Sequence, residues 1–248
     1  YLDEQELSPI EKISKEIEKY ISIATQAFPE ETFILEANAN FNTLMNNTPK
    51  AKELLEEAFH QNNRSPYLAS RLSSMYENEG FSDKAIDVLK QTLGAQPADK
   101  DLNYKMGVLL SKEENKNLDD ILFYLRRSFT KGDNRYHAQF WYARALYLNN
   151  QILEALNLFS ELKGMNIDPK IKYHPRGILE KEFTGTIYRL SLNSGMVRRD
   201  IYGDDIFFFK RNEKGESLDE LKRNDIISYN VGFNYCGPIA VNIKIKQN

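Results

Sequence analysis

The sequence predicts a multidomain α + β protein, in which a repeat-built α-helical solenoid is followed by a small five-stranded β-barrel. Three observations carry this. No glycine precedes Gly80 in the 248 residues, whereas glycines thicken from Gly177 onward. The first two-thirds places apolar residues at helical spacing. The last third consists of short β-branched and aromatic runs broken by Gly, Asn and Asp, as strands and turns require.

Composition narrows the function. With 41% hydrophobic and 28% charged residues, the chain has the make-up of a globular protein. Its net charge of −3 excludes a histone-like basic protein. No run of 18 apolar residues suggests a membrane span. Cys236 is the single cysteine, so neither an internal disulfide nor a cysteine metal cluster is expected. The chain starts at Tyr1 with no signal-peptide pattern, so a fragment of a longer protein or a processed chain is expected. A cytoplasmic setting is the default.

Residues 1–31 read as an N-terminal helix, with Ile10, Ile13, Ile17, Tyr20, Ile21 and Ala24 at helical spacing. Residues 32–168 contain a repeat. Ala51-x3-Leu55-x2-Ala58 returns as Ala85-x3-Leu89-x2-Thr92, Ile121-x3-Leu125-x2-Ser128 and Ala155-x3-Phe159-x2-Leu162. A period of about 34 residues suggests stacked helix hairpins, near 32–65, 66–99, 100–135 and 136–168. Asp168-Pro169 and His174-Pro175 break any helix, so 169–181 reads as a linker. Residues 182–248 hold the strand-like runs. Neither part carries an overwhelming field: the net charge is +1 for 180–248 and −4 for 1–179.

The repeats resemble the tetratricopeptide (TPR) family. Ser73 stands at the small position, Tyr76 at the aromatic one, Gly80 in the turn, then Ala85, Leu89 and Pro97. The other units offer Ala39, Ala51 and Leu55; Gly107 and Leu110; and Ala143, Leu146, Ala155 and Phe159. Asn42 departs from the aromatic position. The resemblance implies a concave groove lined by the first helix of each unit, which holds a protein or peptide partner. The groove candidates are Asn40, Arg71, Ser74, Asn78, Tyr104, Lys105, Trp141 and Arg144. Only Asn40 and Lys105 resemble the family's carboxylate-gripping set, and Glu36 stands where a lysine is expected, so that clamp is not carried over.

Residues 182–248 resemble a cold-shock domain, an OB-fold barrel. Gly185-Thr186-Ile187 matches the opening strand, and Ser194-Gly195-Met196-Val197-Arg198 the first ribonucleoprotein motif. Asp205-Ile206-Phe207-Phe208-Phe209 matches the second, and Gly237-Pro238-x-Ala240-x-Asn242-Ile243 the closing strand. The resemblance implies single-stranded RNA or DNA stacked on strands one to three. Arg189 replaces a tryptophan there, Met196 and Arg198 replace phenylalanines, Phe207 is retained, and Phe209 replaces a histidine. Arginines can stack on bases and pair with phosphate; Arg199, Lys210 and Arg211 would add backbone contacts. The nucleic-acid candidates are therefore Arg189, Met196, Arg198, Arg199, Phe207, Phe209 and Lys210. Alternation puts Phe208 in the core and turns Tyr188 to the opposite side of the first strand, a placement that a barrel twist would change.

No GxGxxG, GxxxxGK, GxSxG or HExxH occurs, and His60, His137 and His174 lie in separate segments. No catalytic residue, metal site or cofactor is expected. The sequence thus predicts a non-enzymatic recognition module, in which the repeats bind a protein and the barrel contacts RNA or single-stranded DNA. By analogy with other repeat arrays it would be the C-terminal sensor or adaptor end of a larger protein. The alternative is a pure protein–protein interaction scaffold whose barrel has lost nucleic-acid binding.

Overall fold

The structure, a computed structural model, describes residues 8–113, 117–199, 205–210 and 218–246. The chain divides into two compact units, Tyr1–Lys131 and Gly132–Asn248.

The first unit is helical. Helix α1 (Pro9–Ala27) starts at a capping box: Ser8 Oγ accepts from the Glu11 amide and Glu11 Oε2 accepts from the Ser8 amide, with Pro9 pre-set in the first turn. Three hairpins follow: α2 (Thr32–Leu44) with α3 (Thr48–Gln61), α4 (Pro66–Asn78) with α5 (Ser82–Ala95), and α6 (Lys100–Leu110) with α7 (Leu118–Arg127). The repeated small and large residues are what they bury. Ala39, Ala51, Leu55, Ser73, Ala85, Leu89, Ile121 and Leu125 are all buried. Gly107 shows why the position must be small: a Cβ there would lie 2.5 Å from Leu125 Cγ.

The turns within the first two hairpins share one device. Asn46 and Gly80 adopt left-handed backbone at φ 57° and 81°. The next amide then reaches back to a carbonyl in the last helical turn, Asn47 to Asn42 (2.8 Å) and Phe81 to Tyr76 (2.8 Å). Asn42, the departure from the aromatic pattern, donates to Asn38 and accepts from Asn47 Nδ2 at 3.0 Å, tying the end of α2 to its turn.

The second unit combines a fourth hairpin with the barrel. Helices α8 (Tyr136–Leu148) and α9 (Ile152–Gly164) are joined through Asn150, again left-handed at φ 61°. A short helix, α10 (Pro169–Lys172), leads to β1 (Glu182–Leu190), β2 (Ser194–Arg199), β3 (Asp205–Phe209), β4 (Ile226–Asn234) and β5 (Gly237–Ile245). The strands close in the order β1-β2-β3-β5-β4. All pairs are antiparallel except β3 with β5, which run parallel where Phe207 meets Ile239. This order fits an OB-like fold. Ile187, Val197, Ile206, Phe208, Ile227 and Val231 are fully buried, so Phe208 belongs to the core.

The segment expected as a linker, 169–181, is bonded to the barrel. Arg176 and Phe233 exchange both backbone hydrogen bonds (2.8 and 3.0 Å), Leu179 N donates to Val231 O (2.8 Å), and Tyr235 N donates to Lys172 O (3.1 Å). The fourth hairpin joins the same unit because its aromatic residues pack on β4 and its turn. The ring centroids of Phe140 and Tyr235 lie 5.1 Å apart, those of Phe140 and Phe159 6.1 Å, and those of Phe159 and Phe233 6.3 Å.

Three arginines are layered into this packing. Arg144 donates to Gly177 O (3.1 Å) and lies over the rings of Trp141 and Phe233. Arg176 lies over Phe140 and Tyr235, and Arg199 donates to Tyr147 OH (2.5 Å). Guanidinium planes suit such sites because they stack on rings while their edges donate.

Candidate functional site

The outer face of β1–β3 gathers most of the residues the sequence singles out. Register pairs Arg189 with Met196, Met196 with Phe207, Arg198 with Asp205, and Ser194 with Phe209. Paired residues share a face of the sheet, so Arg189, Met196, Arg198, Phe207 and Phe209 stand together. Phe207 and Phe209 meet edge to face, with centroids 4.9 Å apart. Phe207 is half-buried, while Phe209 keeps 38% of its surface exposed. Lys210, half-buried, follows at the end of β3, its amide held by Asn193 O (2.9 Å).

Two expectations about this face are corrected. Arg199, expected among the phosphate-contacting cations, is only 6% exposed. The alternation that turns Arg198 outward turns Arg199 to the inner side, over the rings of Phe183 and Tyr147. Tyr188, expected to face away, joins the outer face. The ladder between β1 and β2 shifts register between Ile187 and Arg189, leaving Tyr188 as the extra residue of a bulge. Its hydroxyl donates to Asp205 Oδ2 (2.6 Å), and the Arg198 guanidinium sits 4.7 Å from its ring centroid. That hydrogen bond to a carboxylate pushes the Tyr188 phenol pKa upward. Asp205 also accepts from Arg198 Nε at 3.4 Å, so one acid lies among the cations. Arg211 falls outside the described residues.

Sequence reasoning also missed Tyr173. It closes α10, and its ring lies edge-on to Phe209 at 6.4 Å with 46% of its surface exposed. Nothing in a strand-by-strand reading points to it, because it stands outside the barrel strands.

The groove candidates of the first unit lie on α2, α4 and α6, the first helices of successive hairpins. Here the side chains tie one hairpin to the next. Arg71 donates to Asn40 Oδ1, to Tyr67 OH (3.1 Å) and to Thr43 Oγ1 (3.3 Å). Lys105 donates to the Ser70 carbonyl and hydroxyl and to Ser74 Oγ. Burial lowers the Lys105 pKa, and Glu77 opposes the shift. Asn78 is exposed at the end of α4, and Tyr104 is half-buried on α6.

Trp141 and Arg144 belong to α8, in the second unit. Trp141 is half-buried beside Phe140. Arg144, expected in an open groove, is instead 7% exposed because its guanidinium is drawn into the Gly177 and Phe233 packing. Burial lowers its pKa to about 10, so it stays charged at neutral pH. Among the described residues no cluster of His, Cys, Asp and Glu could hold a metal ion, and no helix is long and apolar enough to cross a membrane.

No family model and no curated protein matches the sequence. Similarity appears in structure. A crystal structure of MamA matches with a TM-score of 0.50 and 15% identity, over 63% of this chain and 93% of that one. MamA from Desulfovibrio magneticus RS-1 matches at 0.49 and 12%, over 60% and 82%. YrrB, described as a TPR protein with an unusual peptide-binding site, matches at 0.47 and 14%, over 60% and 78%. At such identities the likeness is one of fold: the helical part of this chain is a TPR-like array of hairpins, accompanied by a closed five-stranded barrel of OB-like strand order.

Proposed function

We propose that this protein is a non-enzymatic recognition module of the cytoplasm, whose hairpins hold a protein or peptide segment and whose cold-shock-like barrel contacts single-stranded RNA or DNA. The outer face of β1–β3 carries the nucleic-acid part of the proposal. It joins Tyr188, Met196, Phe207 and Phe209 to the guanidinium groups of Arg189 and Arg198. Stacking of unpaired bases on such rings contributes about 1–3 kcal/mol per base, and the arginines add phosphate pairing. In the hairpin face, Arg71 and Lys105 are held by amide, hydroxyl and carbonyl oxygens, and they offer positive charge to an acidic segment.

Fluorescence anisotropy with labelled single-stranded oligonucleotides at low and moderate salt tests the barrel. Binding that weakens with salt and is reduced about 5- to 100-fold by Phe207→Ala supports it. No binding at either salt, or binding indifferent to Phe207→Ala and Arg198→Ala, rejects it. One observation favours the second reading, a scaffold that binds only protein: Asp205 sits within the face and is bonded to both Arg198 and Tyr188.

A further inference from the structure

We infer that the nucleic-acid surface extends beyond the barrel onto α10, where Tyr173 provides an additional base-stacking position for the single strand. This rests on the reading of the β1–β3 face given above and adds to it a position that no barrel strand supplies. Phe207 and Phe209 follow one another down the outer side of β3. Their edge-to-face contact at 4.9 Å is continued by the contact of Phe209 with Tyr173 at 6.4 Å, so the three rings form one row. Exposure grows along it: Phe207 is half-buried, Phe209 is 38% exposed and Tyr173 46%. Nearly half of the Tyr173 surface is thus left for contact with a base.

Tyr173 is also held in place. Its amide donates to Pro169 O (3.1 Å), and the preceding carbonyl, that of Lys172, accepts from the Tyr235 amide (3.1 Å). The backbone that carries the ring is therefore fixed, and the ring rests against Phe209, before any ligand arrives, which lowers the ordering cost of binding. Two lysines stand close in the chain to these rings: Lys210, half-buried, follows Phe209, and Lys170, exposed, precedes Tyr173 on α10. Lysines of this kind pair with phosphate, while the bases of the same strand lie on the rings. Base and phosphate are common to RNA and DNA, and the assay contains an arm for each.

The test measures the affinity of the whole chain for ribo- and deoxyribo-oligopyrimidines lengthened one nucleotide at a time. Tyr173→Ala is expected to weaken binding of the longer oligonucleotides about 5- to 100-fold, and Tyr173→Trp to preserve it. The length at which affinity stops rising should shorten by about one nucleotide in Tyr173→Ala, one base being stacked per ring. Phe207→Ala should weaken every length. Unfolding midpoints of the variants confirm that the exposed Tyr173 was removed without loss of the fold. If Phe207→Ala weakens binding while Tyr173→Ala changes neither affinity nor length dependence, the extension is wrong and the barrel reading survives. If no oligonucleotide binds, both are wrong.

Discussion

Replacing Gly177 by alanine should unfold much of the second unit's stability. Gly177 sits at φ +58°, where a side chain costs about 1–2 kcal/mol. The added Cβ would fall 2.4 Å from Arg144 Nε and 2.9 Å from its Cδ. Neither atom is the free end of a flexible chain, because the Arg144 guanidinium is wedged over Trp141 and Phe233. Arg144 must move, and its 3.1 Å bond to Gly177 O is lost. A hydrogen bond to a charged group contributes about 1.5–3 kcal/mol. Together the two effects come to about 3–5 kcal/mol, against a usual domain stability of about 5–15 kcal/mol. The assay is built in, since Trp141 is the single tryptophan and lies beside Arg144. Its fluorescence in a urea titration should show a midpoint lowered by roughly 2 M, using a slope of about 2 kcal/mol per molar. The double variant with Arg144→Ala removes the collision, because alanine lacks the Cδ and Nε that the new Cβ would meet, and should keep only the backbone strain of about 1–2 kcal/mol relative to Arg144→Ala alone. A loss below about 1 kcal/mol in Gly177→Ala, or strict additivity with Arg144→Ala, would refute the reasoning.

Gly107→Ala should destabilise the first unit by about 1–3 kcal/mol, because its Cβ would press on the fully buried Leu125; a thermal melt followed by far-UV circular dichroism that does not shift would contradict the packing. His137, bonded to Tyr235 OH at 2.6 Å, has its pKa lowered first by burial and then by Arg176. The unfolded chain therefore takes up the proton more readily, so stability is full above pH 6.5 and is lost as pH falls through the lower folded value. Urea midpoints from Trp141 should drop below that pH, and His137→Gln should flatten the drop. Asp205→Asn should tighten oligonucleotide binding a few-fold, or about 0.5–1 kcal/mol, and steepen its salt dependence by releasing Arg198; weaker binding would show that the carboxylate serves the face instead of opposing it.

The hairpins were the more legible part, for a physical reason. A stack of similar units buries the same small and large residues at each step, so Ala51, Ala85 and Ala155 repeat in the sequence what they repeat in the core. The turns were half legible: Gly80 announces a left-handed residue, whereas Asn46 and Asn150 do the same work with a side chain common in any loop. In the barrel, alternation placed Phe208 correctly and, applied one residue further along β2, would have withdrawn Arg199 from the outer face. It misplaced Tyr188 because a bulge breaks the period of two, and no residue type in β1 marks the break. Tyr173 and the pairing of 169–181 with β4 were invisible, since a contact between an irregular segment and a strand end leaves no periodic trace. The compact unit begins at Gly132, not at the prolines of 169–181, because tertiary burial of Phe140 and Phe159 outweighs a local break in helical pattern.

The layer of arginines and rings between α8, α9 and β4 has a practical corollary for dissecting the chain. Severing it at the proline-marked seam would strip Phe233 and Tyr235 of their wrapping and leave Arg199 without Tyr147. A barrel isolated that way would present sticky aromatic flesh to its own copies and precipitate, and failure to bind an oligonucleotide would then report damage. The smallest excised piece expected to stay well behaved starts at Gly132 and carries the last hairpin with it.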